Sequence, residues 1–200
     1  MRDNRIGLRF LRLIPHLLQH SNTRGSDMKI DADFEADLSR YPLRPFLKEQ
    51  SIWAICIYRY GRRVLDRKRG VLRAIQLKLY WLMSRIVETV TGITLPLEAR
   101  IGPGLRIYHF GNIVVHSQAV IGRNCTLRHG VTIGNRVPDG PTPVIGDDVD
   151  FGAYAQVLGN VRIGNGAKIG AMTVVLCDVP AGATAVGVPA RILQIGGAAG

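Results

Sequence analysis

From Leu95 to Val175 the chain places an apolar residue at every sixth position, often followed by Gly, with a small residue or Val at the fifth. The series runs Leu95, Ile101, Ile107, then Val115, Ile121, Leu127, Ile133, and resumes at Ile145, Phe151, Val157, Ile163, Ile169 and Val175. Its fifth positions include Ala99, Gly111, Ala119, Cys125, Val131, Val149, Ala155, Val161, Ala167 and Thr173. A six-residue unit is too short to bury its own apolar side chain. Stacked units form one continuous apolar column, so the repeat predicts a parallel β-helix. A sandwich of short strands has no reason to keep so strict a register. Two interruptions stand out: Ile107 to Val115 spans eight residues, and Ile133 to Ile145 spans twelve. The second contains Pro138, Gly140, Pro141 and Pro143, which break strand geometry and predict a loop at 135–144 extruded from the coil.

Before the repeat the period changes. Residues 45–91 read as helical, with Pro45 suited to a helix start. Ile52, Ile55, Tyr58 and Val64 or Leu65 lie at helical spacing, and after Gly70 a second stripe follows with Leu72, Ile75, Leu79, Leu82 and Ile86. Trp53 and Trp81 read as packing residues, and Arg67, Lys68 and Arg69 as a solvated turn. Gly92 and Pro96 mark the change of period. Residues 5–20 suit a short basic amphipathic helix weakened by Pro15, with His16 and His20 solvated, and the polar stretch 21–40 reads as poorly ordered. Three segments are therefore expected: 1–42, basic and partly disordered or amphipathic; 43–93, helical; and 94–195, the β-helix.

Of the net charge of +11, residues 1–94 carry +9, with 18 Lys and Arg against 9 Asp and Glu. A positive field suggests nucleic acid, but no nucleic-acid-binding motif accompanies it, so none is expected as a partner. An anionic membrane surface, met as a peripheral contact, or an anionic glycan lipid is at least as good a match. No stretch approaches the length of apolar sequence that spans a bilayer, and Arg9 and Arg12 interrupt the N-terminal run where a cleaved signal would be apolar. Cys56, Cys125 and Cys177 are odd in number and lack metal or disulfide spacing, which suits a reducing, cytoplasmic compartment.

The candidate chemistry is a pair of histidines. His109 and His129 are each the third residue of a unit, three units apart. If three units make one triangular coil, the two occupy the same face of adjacent coils, roughly 4.8 Å apart, although the two-residue insertion could offset them. A neutral imidazole can take a proton from a hydroxyl near neutral pH. No Cys, Asp or Glu completes a metal site at suitable spacing, so no metal is expected.

The segment from Tyr41 to Leu193 resembles the hexapeptide-repeat acyltransferases of the serine acetyltransferase group. The motifs that carry this are YRYGRRVL (58–65), IYHFGNIVV (107–115), AVIGRNCTLRHGVTIGNR (119–136), VLGNVRIGNGAKIGAMTVVL (157–176) and DVPAGATAVGVPARI (178–192). LRHGVTIGNR is most similar to the branch that acetylates exopolysaccharides of the colanic acid type. The resemblance implies a left-handed β-helix, a homotrimer, and acetyl-CoA as co-substrate between neighbouring subunits. It puts His109 on the family's base, acting by direct attack without an acyl-enzyme. His129 stands as a second acid/base or a sugar contact. Gly152, Ala153, Lys168, Ala171 and Arg191 match coenzyme-facing positions, with Lys168 and Arg191 suited to phosphate.

Departures bear on the acceptor. Thr94, Tyr108, Pro141 and Thr142 stand where serine acetyltransferases carry charged residues. The expected activity is therefore O-acetylation of a sugar hydroxyl on an exopolysaccharide precursor, a glycan or glycolipid acceptor held by Tyr108, Asn112, Asn135 and Arg136. The alternative is the serine O-acetyltransferase of cysteine biosynthesis. Glu98 is the weak candidate for orienting His109.

Overall fold

The computed structural model describes residues 24–193, with side chains from Ala32 onward. Among the described residues four helices precede fifteen strands: α1 (Arg24–Ser39), α2 (Pro45–Lys48), α3 (Ser51–Leu65) and α4 (Val71–Thr91). The amphipathic reading of residues 5–20, with His16 and His20, and the last two residues of the 94–195 segment lie outside the described residues.

The strands wind into a parallel β-helix of three sheets, in keeping with the expected left-handed solenoid. One sheet holds β1 (Ile93–Thr94), β4 (Ile113–Val115), β7 (Thr132–Gly134), β10 (Gln156–Leu158) and β13 (Val174–Val175). The next holds β2 (Arg100–Ile101), β5 (Val120–Ile121), β8 (Val144–Ile145) and β11 (Arg162–Ile163). The third holds β3 (Arg106–Tyr108), β6 (Thr126–Arg128), β9 (Asp150–Phe151), β12 (Lys168–Ile169) and β14 (Thr184–Val186), with β15 (Arg191–Leu193) folded back antiparallel on β14. That reversal pairs an edge left open where the solenoid ends.

The six-residue pattern maps onto this directly. Ile107, Leu127 and Phe151 are fully buried in the column of the third sheet, and Ile113, Ile133 and Val157 in that of the first. Ala99, Ala119, Cys125, Val149, Ala155 and Ala167 are fully buried at the corners, where only small residues fit inside the turn. The first coil has no coil before it, so its outward backbone groups need partners. The helices supply them. Tyr58 donates its hydroxyl hydrogen to the Ala99 carbonyl and accepts from the Ile101 N–H. Ser51 donates to the Ile107 carbonyl, and Arg40 donates to the carbonyls of Gly104 and Cys125.

Two expectations change. Residues 24–39 form α1 where disorder was expected, and its later residues dock through Asp37, fully buried against Arg59. The docking partner lies on α3, 22 residues away, so local composition carries no trace of it. The stripe Leu72, Ile75, Leu79, Leu82 and Ile86 on α4 is exposed, along with Trp81. α4 instead turns Tyr80 inward. That ring lies where a Cβ on Gly61 of α3 would sit, 2.5 Å from its Cε2, so only glycine admits this approach.

Cysteine chemistry follows from the packing. Cys56 and Cys125 are free thiols whose pKa burial pushes up to about 11, and Cys177 is exposed. Ellman's reagent should therefore label one thiol per folded chain quickly and the other two only on denaturation. Two fast thiols in the folded protein would contradict this packing.

Candidate active site

β3 and β6 pair with Arg106 opposite Thr126, Ile107 opposite Leu127 and Tyr108 opposite Arg128. One residue further, at the corner, this register sets His109 beside His129. Their ring centroids are 5.8 Å apart at an interplanar angle of 72°. The insertion does not offset them, because the corner absorbs it after the histidine. His109, Gly111 and Asn112 have φ of 65°, 114° and 52°, so the extra residues are spent on a tight left-handed excursion before β4 begins. A non-glycine residue in this region is uncommon and carries a cost of order 1–3 kcal/mol, which is met mainly at functional sites.

His129 is more enclosed than the exposed His109. Its ring meets the edge of Tyr154, centroid to centroid 5.1 Å. Gly130 permits this: at φ 73° it lies against Tyr154, and a Cβ there would come within 2.3 Å of the ring. The Nδ1 of His129 is buried with no hydrogen-bond partner among the described residues. Such an orphaned nitrogen is expensive and marks a place awaiting a partner.

Below the histidines the same edge carries small residues. Thr126 pairs with Asp150, and Asp150 with Lys168, so the corner positions run His109, His129, Ala153, Ala171. Gly152 precedes Ala153, and the Met172 N–H donates to the Ala153 carbonyl at 2.8 Å. Lys168 lies opposite Thr184, while Arg191 lies opposite Val186, two residues further along β14. Both cations are exposed on the third sheet. The five coenzyme positions thus share one sheet and its edge, one coil and more beyond His129.

The outer face of that sheet next to His109 is charged. Tyr108 lies between two guanidinium groups, with Arg106 Cζ 4.2 Å and Arg128 Cζ 5.8 Å from its ring centroid. Arg106 is buried and forms a double ion pair with Glu49. Burial works against its charge, but the Glu49 hydrogen bonds outweigh this and hold its pKa above the ordinary value. Arg128 donates to Asp150 Oδ1 at 2.5 Å and to the Phe151 carbonyl at 3.0 Å. Sequence reasoning singled out neither Arg128, Asp150 nor Tyr154. The one available signal was that Arg128 immediately precedes His129 inside the quoted LRHGVTIGNR.

Other expected site residues do not gather here. Asn112 is at the histidine corner, but Asn135 and Arg136 follow β7 and leave the coil at the next corner, across the width of the first sheet. The loop they begin returns beside Val120, whose N–H meets the Pro143 carbonyl. Glu98 does not reach His109; it lines a pocket under α4 with Tyr80, Glu88 and Thr94. Thr94 donates to Glu88 there at 2.6 Å. Among the described residues no helix is long and apolar enough to cross a membrane.

A three-sided parallel solenoid with this corner defines a hexapeptide-repeat transferase, and the family described as bacterial transferase hexapeptide (six repeats) matches residues 142–177. A serine acetyltransferase from Bacillus licheniformis is 35% identical over 168 residues, covering 82% of this chain and 74% of the relative. The solved Neisseria gonorrhoeae serine acetyltransferase in complex with serine superposes with a TM-score of 0.69 at 35% identity, covering 84% of this chain and 71% of that one. A serine acetyltransferase solved in complex with CoA gives 0.68 at 31%, covering 82% and 68%. The chain belongs to the serine acetyltransferase family of hexapeptide-repeat acyltransferases. It spans 48% and 64% of the length of two other curated relatives, from Synechococcus elongatus and Buchnera aphidicola.

These similarities overturn the expectation of an exopolysaccharide O-acetyltransferase with a glycan or glycolipid acceptor, because the matched relatives are serine acetyltransferases. That expectation rested on uncharged residues at Thr94, Tyr108, Pro141 and Thr142. Matching position by position is blind to charge brought in from elsewhere in the fold, and Arg128, ion-paired to Asp150, stands beside Tyr108.

Proposed function

We propose that this chain is an acetyl-CoA-dependent serine O-acetyltransferase. The observation that carries the reading is the histidine corner continuous with an edge of small residues, in a chain whose relatives are named for that activity and whose solved neighbours include complexes with serine and with CoA. His109 takes the proton from the serine Oγ as that oxygen attacks the thioester carbonyl. The C–O bond forms and a tetrahedral intermediate results. It collapses by breaking the C–S bond, and the departing CoA thiolate takes the proton back from the imidazolium. His129 stands as the second acid/base of the pair, and its unpartnered Nδ1 supports a ligand or neighbouring protomer there.

The coenzyme is assigned to the edge at Gly152, Ala153 and Ala171, with Lys168 and Arg191 toward its phosphates. The assembly in this reading is a homotrimer with the coenzyme between protomers. Phe110, Tyr154 and Met172, left exposed along the same edge, support a protomer contact there. Serine and acetyl-CoA both occur in the cytoplasm, which supports a cytoplasmic enzyme. The segments 1–42, 43–93 and 94–195, with the 135–144 loop, serve as its working divisions.

The test is release of CoA thiol from acetyl-CoA with serine as acceptor, and identification of O-acetylserine. No serine-dependent thiol release by the intact, acetyl-CoA-binding protein would overturn the proposal. Lys168→Ala and Arg191→Ala should each raise KM for acetyl-CoA by roughly tenfold or more, since a charge-assisted hydrogen bond contributes about 1.5–3 kcal/mol. Their kcat should stay within about threefold. Unchanged coenzyme affinity in both variants would reassign the pair as surface charges.

A further inference from the structure

A serine acceptor arrives as a zwitterion, and a site that strips water from its carboxylate and ammonium must replace both interactions. The corner itself offers only imidazoles. The nearest opposite charges on the same sheet are Arg128, one residue before His129, and Asp150, three residues before Ala153 on the next strand. Arg128 precedes His129 and lies opposite Tyr108, which precedes His109. Asp150 lies on the next strand, opposite Thr126.

Several features separate this pair from its surroundings. Arg106 flanks the same tyrosine, but both its terminal nitrogens are engaged by Glu49 and its side chain is 5% exposed. The Arg128 and Asp150 side chains are 38% and 42% exposed. Arg128 holds Asp150 through one nitrogen, Nη1, and that nitrogen is anchored in turn by the Phe151 carbonyl. A guanidinium has five N–H donors, so Arg128 keeps donors for a second carboxylate in the planar, two-pronged geometry that carboxylates prefer. Asp150 offers a carboxylate to an ammonium, and Lys168 opposite it on β12 is the neighbouring cation that competes for it. The pair is therefore oriented and also accessible. It can exchange one internal ion pair for two to a bound amino acid.

We propose that Arg128 and Asp150 are the specificity-determining residues for the acceptor, Arg128 binding the serine carboxylate and Asp150 its ammonium. A carboxylate held by Arg128, one residue from His129, keeps the acceptor beside the His109–His129 corner. The inference rests on the serine reading above.

Steady-state kinetics with serine, serinamide and 3-hydroxypropanoate separate the two. In the wild-type protein, serine should be preferred over serinamide, which lacks the carboxylate, and over 3-hydroxypropanoate, which lacks the ammonium. Arg128→Gln should raise KM for serine at least about tenfold, leave KM for acetyl-CoA within about twofold, and abolish the preference for serine over serinamide. Asp150→Asn should do the same for serine over 3-hydroxypropanoate, and Arg128→Lys should recover part of the serine affinity. Both variants should fold, as a half-exposed ion pair contributes little to stability. Wild-type serine turnover with unchanged serine KM in both variants would overturn the assignment and leave a surface ion pair. Absence of serine turnover in the wild type would instead remove the serine reading, and this inference with it.

Discussion

His109→Asn should lower kcat at least about a hundredfold, within the 10²–10⁴-fold range for loss of a general base, while acetyl-CoA binding persists. Asn is the informative replacement because His109 sits at φ 65°, a conformation that Asn tolerates and Ala does not. His109→Ala removes the base as well but adds backbone strain, so it should show the same kinetic loss with lower stability. The coenzyme positions lie one coil and more beyond His129, so neither replacement touches them. Isothermal titration with acetyl-CoA and single-turnover transfer measure the two halves of this expectation. Near-normal turnover by the Asn variant would take His109 out of the mechanism.

Arg59→Leu should destabilise the fold by about 3–5 kcal/mol, the usual cost of removing one partner from a buried ion pair. Arg59 donates to both oxygens of Asp37, at 2.8 and 3.1 Å, and to the carbonyls of Ile101 and Gly102. Without it, the fully buried Asp37 keeps only backbone N–H partners, at Leu105 and Gly104, and two first-coil carbonyls lose their donor. For a chain of this length the melting temperature should fall by roughly 6–20 °C. Burial raises the Asp37 pKa above its ordinary 3.8, with Arg59 the main opposing influence. Removing Arg59 raises it further. A carboxyl with a raised folded-state pKa loses stability as pH rises through that value, so the defect should be greatest at neutral pH and shrink in acid. Replacing Asp37 and Arg59 together by Leu should restore much of the loss. A single variant that melts with the wild type would show that this pair does not hold the helices to the solenoid.

The solenoid and the histidine pair were legible in the sequence because a β-helix is a local code. Each six-residue unit repeats the same demand, an apolar residue inward and a small one at the corner. Counting from Ile107 to Leu127 therefore places His109 and His129 at one register without knowledge of the rest. The loop at 135–144 is equally local, since its prolines cannot join the ladder. The helical region was less legible. α4 shows a clean apolar stripe, yet the structure exposes it and buries Tyr80, because the decisive contact is with Gly61 on another helix.

The sequence by itself determined the coil period and the corner that carries the imidazoles, since both follow from spacing along the chain; the small residues beyond that corner were marked by the family resemblance. Tertiary structure alone decided what surrounds them. Asp37 and Arg59 meet across 22 residues to dock the helices, Arg106 is neutralised by Glu49 57 residues away, and Arg128 and Asp150 meet across adjacent coils beside Tyr108. Charged pairs carry no period. Their partners are set by which coil and helix happen to pack together, so the electrostatics of the acceptor side emerged only when the chain was folded.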